Sequence, residues 1–144
     1  VVGSLMALHG KRAVCGGTAA NIVARELGRP LEVDLETGTE NVPPRGRIEG
    51  IDLVSEGVLT LTRALEQIRE GIPVPTLKLR VDAASALAVL LHEADEIRVF
   101  VGRSINPTHQ DPDLPRNLGL KAQAVQALAE ELRRRGKVVD IQYY

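Results

Sequence analysis

Stretches with helical and with strand periodicity alternate along this chain, and no other feature constrains its fold more. Residues 1–9 carry Val2, Leu5, Met6 and Leu8 ahead of Gly10, the pattern of a short helix with a glycine stop. Residues 11–14 lead into Cys15 as a short strand. Gly16-Gly17-Thr18 breaks it, and residues 19–27 read as a helix ended by Gly28 and Pro30. Residues 31–35 alternate apolar and acidic side chains, as a half-exposed strand does. Residues 36–47, with two adjacent prolines, predict a loop, and residues 48–54 predict a strand. Val58, Leu61, Leu65 and Ile68 then mark a helix ended at Gly71. A proline-punctuated connector over 72–75 precedes a short strand or extended loop over 76–81.

Asp82 is placed to cap a helix through Leu87, Leu90, Leu91 and Ala94. Residues 97–101 form the most apolar strand, expected at the centre of a sheet, and residues 102–115 predict a long polar loop. The last helix shows Leu118, Val125, Leu128 and Leu132, with Arg133, Arg134 and Arg135 complementing its dipole. After Gly136, residues 138–143 read as a final strand. The alternation predicts a single α/β domain over residues 1–144: a mainly parallel sheet of about 4–6 strands with helices on both faces.

Composition narrows the function classes. The chain has 144 residues, 18 basic and 19 acidic, for a net charge of −1. That balance gives no electrostatic footprint for nucleic acid or for an anionic membrane. Phe100, Tyr143 and Tyr144 are the whole aromatic set, so no platform for stacking bases is present either. Cys15 is the only cysteine; an internal disulfide framework and a cysteine-based metal site are excluded, and a reducing, cytoplasmic setting is expected. No apolar run approaches the about 18–20 residues that span a bilayer.

In open α/β sheets, ligands bind beyond the carboxyl ends of strands. Three polar segments are expected there: Cys15, Gly16, Gly17 and Thr18, with Asn21 one turn on; Asp52 through Glu56 and Gly57; and Gly102, Arg103, Asn106 and His109. The paired glycines permit close approach of a ligand, and the helix that follows offers free N–H groups to an anion. They equally suit a tight turn under a packed helix, since neither G-x-x-x-x-G-K-[ST] nor G-x-G-x-x-G occurs. Cys15 lacks the arginine six residues on that cysteine phosphatases use, because position 21 is Asn21. Asp52, Glu56 and Glu49 are close enough in sequence to hold a cation or a ligand hydroxyl, although Glu56 also suits a helix first turn. His109, Asp111 and Asp113 do not complete a metal-ligand set. No catalytic residue and no metal ligand is assigned.

Three stretches carry a family resemblance: residues 14–28 (VCGGTAANIVARELG), 48–61 (IEGIDLVSEGVLTL) and 101–115 (VGRSINPTHQDPDLP). They resemble the C-terminal region of stage II sporulation protein E family phosphatases of anaerobic bacteria, within the metal-dependent serine/threonine phosphatase superfamily. The resemblance implies a C-terminal part of a longer chain whose phosphatase domain holds Mn²⁺ or Mg²⁺ through Asp-Gly and related motifs. No Asp-Gly dipeptide occurs here, so no cofactor is expected in this part. What it implies is an accessory domain that regulates the attached phosphatase, or binds a small anionic ligand or a protein partner. A small enzyme using Cys15 or the Asp52/Glu56 pair, and a structural homodimerisation domain, are the alternatives.

Overall fold

A computed structural model describes residues 1–37, 44–102 and 114–144, with side chains described from residue 119 in the last segment. The chain runs α1 (Val2–Ala7), β1 (Ala13–Cys15), α2 (Gly17–Leu27), β2 (Glu32–Asp34), a 3₁₀ turn (Leu35–Thr37), β3 (Arg45–Arg47), β4 (Leu53–Ser55), α3 (Val58–Glu70), α4 (Val74–Lys78), α5 (Ala83–Glu93), β5 (Glu96–Val101), α6 (Leu114–Arg134) and β6 (Val138–Tyr143).

The α/β class holds, but the regular alternation and the expected mainly parallel sheet do not: β2, β3 and β4 follow one another, as do α3, α4 and α5. Four strands form a mixed sheet in the order β1-β4-β3-β2, and β5 with β6 makes a separate parallel pair. β1 and β4 are parallel, with Cys15 opposite Ser55; β2–β3 and β3–β4 are antiparallel. Connection length is the reason. The links from β2 to β3 and from β3 to β4 are too short to hold a crossover helix, so those strands must reverse. The reversal before β4 uses Gly50, at φ +90°, and it splits the single strand expected over residues 48–54.

β1 and β4 lie between two apolar clusters because their side chains alternate in direction. Val14 and Val54 face Ala20, Val23 and Ala24 of α2, with Ile48. Ala13, Cys15 and Leu53 face the larger cluster, built from Leu61, Leu65 and Ile68 of α3, Leu87 and Leu91 of α5, and Val125, Leu128 and Leu132 of α6. Helices therefore cover both faces of this parallel pair. The β5–β6 pair differs. Ile97, Val99, Val101, Val139 and Ile141 pack into the larger cluster, while Glu96, Arg98, Val138, Asp140 and Gln142 on the other face are exposed. β5, expected to be central and covered on both sides, is hydrogen-bonded to β6 alone among the described strands.

Local signals decide the helices. Asp82 caps α5 by accepting from Ser85 N at 2.9 Å, and Ser85 Oγ lies within hydrogen-bond distance of Asp82 Oδ1 and Gln67 Oε1, at 2.9 and 3.1 Å. The segment expected as strand or loop over 76–81 instead contributes to α4, which starts after Pro73 and carries Pro75 in its first turn. Proline suits that position because first-turn N–H groups have no helical partner to lose.

Candidate functional site at the carboxyl ends of β1 and β4

Two of the three expected segments meet. Where β1 ends, Gly16 N donates to Ser55 O at 2.7 Å, tying the β1–α2 turn to the β4–α3 turn. A Cβ on Gly57 would lie 3.6 Å from Gly16 Cα and 3.8 Å from Cys15 O, so the two glycine turns sit in van der Waals contact. α2 and α3 consequently begin side by side. Gly16 caps α2 at φ +137° and Gly57 caps α3, and among the described residues neither helix has a side-chain cap. The first-turn N–H groups of both helices lack intrahelical acceptors, and both positive dipole ends lie at the carboxyl ends of β1 and β4.

The two adjacent glycines differ. Gly16 occupies a backbone conformation that L residues rarely adopt, whereas Gly17 is an exposed first helical residue with no such requirement. Among the described residues, a Cβ on Gly17 would meet only Glu56 Oε1, at 3.7 Å. Thr18 and Asn21 are exposed on the first turns of α2.

Lys121 of α6 completes the arrangement and was not among the expected site residues. Its Nζ lies 3.5 Å from the position of a Gly16 Cβ. A signal for it exists in the sequence. Position 121 precedes Val125, Leu128 and Leu132 by about one, two and three turns, so it continues their buried stripe to the end of the sheet. α6 is held alongside α3, where Arg135 Nη2 donates to Ile68 O at 2.7 Å. A lysine on an apolar stripe reads as an interruption until the helix has a neighbour.

Cys15 lies beside these groups. Burial pushes its thiol above its ordinary pKa, against the opposite pulls of a hydrogen bond with Ser55 and the Lys121 ammonium. Desolvation has the largest effect, so the environment of Cys15 favours the thiol over the thiolate. The groups gathered here are amide donors and an ammonium, with the Glu56 carboxylate at the rim. Such a set can hold an anion.

Asp52 falls elsewhere. It precedes β4, while Glu56 follows it, so the strand separates the two carboxylates. Asp52 accepts from Arg12 N at 2.7 Å and lies 3.9 Å from Lys11 Nζ. It borders an open depression of about 470 Å³ lined by Gly10, Lys11, Arg12, Gly50, Ile51 and Asp52. The expected Asp52/Glu56 pair is therefore not assembled, because residues 48–54 turn at Gly50 before the strand begins. Gly102 is exposed after β5, with no described residue within 4 Å of a Cβ placed there. Arg103, Asn106 and His109 lie outside the described residues. Among the described residues no group of three His, Cys, Asp or Glu side chains could hold a metal ion, and no helix is long and apolar enough to cross a membrane.

Comparison with protein-family models, with curated proteins and with solved structures found no match to this chain.

Proposed function

We propose that this domain is a regulatory module that binds an anionic group, a phosphate or a carboxylate, at the carboxyl ends of β1 and β4. One observation carries the reading: two uncapped helix starts converge beside the Lys121 ammonium. Helix N-termini and a lysine attract the same charge, and each raises the affinity the others supply. Gly17 supports it further, because an exposed helical glycine that neither the backbone nor packing requires leaves the amides open to approach.

The resemblance of residues 14–28 and 48–61 to the region following the catalytic domain of sporulation phosphatases fits this reading. Those two stretches supply the two glycine turns that touch. The module is accordingly proposed to act on an attached metal-dependent serine/threonine phosphatase, in the cytoplasm, without contributing metal ligands of its own. A regulatory rather than catalytic role also fits an environment that favours the Cys15 thiol over the thiolate.

The test is a titration of inorganic phosphate and of phosphoserine followed by amide chemical shifts. Shifts at Gly17, Thr18 and Val58 that saturate are expected. Lys121→Met should weaken binding by about tenfold or more, given that a unit charge at about 4 Å near a protein surface contributes several kcal/mol before desolvation. Absence of saturating shifts at these amides, or equal affinity in Lys121→Met, would reject the site.

A further inference from the structure

β2 is the outer strand of the four-stranded sheet. Among the described strands it is hydrogen-bonded to β3 alone, and Glu32, Val33 and Asp34 are all exposed. A free strand edge is a row of backbone donors and acceptors, and charged side chains are one device that keeps other strands away from it. Here those charges are the carboxylates of Glu32 and Asp34. They close the edge to acidic strands and leave it open to a basic one.

The pairing with β3 shows what this strand accepts. Its antiparallel register sets Glu32 opposite Arg47 and Asp34 opposite Arg45, with Val33 opposite Gly46. Alternation puts the two acids on one face and Val33 on the other. A Cβ on Gly46 would lie 2.9 Å from Val54 Cγ1 and 3.2 Å from Leu31 Cδ1, so packing keeps that position free of a side chain. β3 therefore offers Val33 nothing to pack against, and Val33 is 57% exposed, with Leu35 just beyond it at 79%. No ion pair among the described residues joins the two acids to the β3 arginines.

Distance decides the sign of the charge this edge attracts. Side chains of a strand added outside β2 would stand about 5 Å from Glu32 and Asp34, and about 10 Å from Arg45 and Arg47 one strand further in. Coulomb attraction falls with distance and is screened over about 8–10 Å, so the nearer acids prevail. A second copy of this strand is the wrong occupant. Two β2 strands paired antiparallel about Val33 would set Glu32 against Asp34 twice, and like charges directly opposite are destabilising.

We propose that the β2 edge docks an extended segment of a partner protein with basic–apolar–basic alternation, its arginines or lysines opposite Glu32 and Asp34 and its apolar residue opposite Val33. Backbone hydrogen bonds hold such an added strand, and the alternating side chains select it. With three residues in β2, the contact is short and the complex weak. The surface is separate from the anion site, because β3 lies between β2 and β4 in the sheet.

An amide-shift titration of the 144-residue chain with the peptide Arg-Val-Arg-Val-Arg tests this. Saturating shifts at Glu32, Val33 and Asp34 are expected, with affinity falling as salt is added. Glu32→Arg turns one attraction into a repulsion and should weaken binding by about fivefold. The same peptide N-methylated at its valines keeps its charge but loses backbone donors, and should bind about tenfold more weakly. The proposal is overturned if the unmethylated peptide gives no saturating shifts at residues 32–34, or if the N-methylated peptide binds equally well, which leaves only charge attraction. It is also overturned if Glu32→Arg binds like the parent, or if the same shifts arise on concentrating the protein without peptide, the mark of self-association. The two peptide arms use the unmutated chain and decide the question even where Glu32→Arg fails to fold.

Discussion

Gly16 and Gly17 are neighbours with different physical duties, and substituting each in turn separates turn chemistry from ligand access. Gly16 lies at φ +137°, a region that costs a residue with a side chain about 1–3 kcal/mol. Its Cβ would meet Lys121 Nζ at an ordinary 3.5 Å, so the cost is in the backbone and not in packing. For a domain of this length, Gly16→Ala should lower the melting temperature by about 3–10 °C. Gly17 is the first residue of α2, exposed, and among the described residues a Cβ there would touch only the Glu56 carboxylate, at 3.7 Å. Gly17→Val gains a few tenths of a kcal/mol of helix propensity and removes nothing from the core. Its stability should stay within about 0.5 kcal/mol of the parent, a shift of about 2 °C or less. The valine methyls nevertheless stand over the first-turn amides. Phosphate affinity should therefore fall by about tenfold, equivalent to about 1.4 kcal/mol. Thermal unfolding and an amide-shift titration, run on both variants, give the answer. If Gly17→Val melts as early as Gly16→Ala, both glycines are turn residues. If it binds phosphate like the parent, the α2 amides are not the site.

Two further outcomes follow from the packing and the titration of the same strands. Gly46 of β3 faces Val54, and a Cβ there would lie 2.9 Å from Val54 Cγ1 and 3.2 Å from Leu31 Cδ1. Gly46→Ala should destabilise by about 1–3 kcal/mol through overpacking, and adding Val54→Ala should recover part of that loss, visible as non-additivity in a double-mutant cycle by denaturant unfolding. The Cys15 thiol holds its proton to higher pH in the folded state than in the unfolded chain, whose value is 9.0. Stability attributable to it is thus complete below pH 9.0 and declines as pH rises further. Thermal unfolding across that range should show a shallower decline for Cys15→Ala than for the parent, and iodoacetamide should label native Cys15 slowly at pH 7.5. An identical pH profile, or labelling as fast as a free thiol, would contradict the burial argument.

Apart from α4, expected as connector and strand or loop, the helices were legible in the sequence because their signals are local. Gly28 and Gly71 close α2 and α3 where the apolar spacing stops, Asp82 caps α5 through an amide three residues away, and Leu61, Leu65 and Ile68 lie on one buried face as their spacing requires. The Cys15-Gly16-Gly17-Thr18 and Glu56-Gly57 turns were each placed after a strand by local signals, but that they meet was decided by the β1–β4 pairing, since parallel strands in register carry their C-terminal turns to one end. The strand partners did not follow. β1 to β4 have three residues each, too few for periodicity to fix direction or register, and β1 is paired with β4, far along the sequence. The turn at Gly50 therefore went unseen, and with it the separation of Asp52 from Glu56. Lys121 depended on tertiary structure for the same reason. Its place on the stripe of Val125, Leu128 and Leu132 is written in the sequence, but its meaning is set by what the end of that stripe packs against. Periodicity and caps report on a residue's own segment; charge convergence is a property of the distances between segments, and only the packed fold determines those.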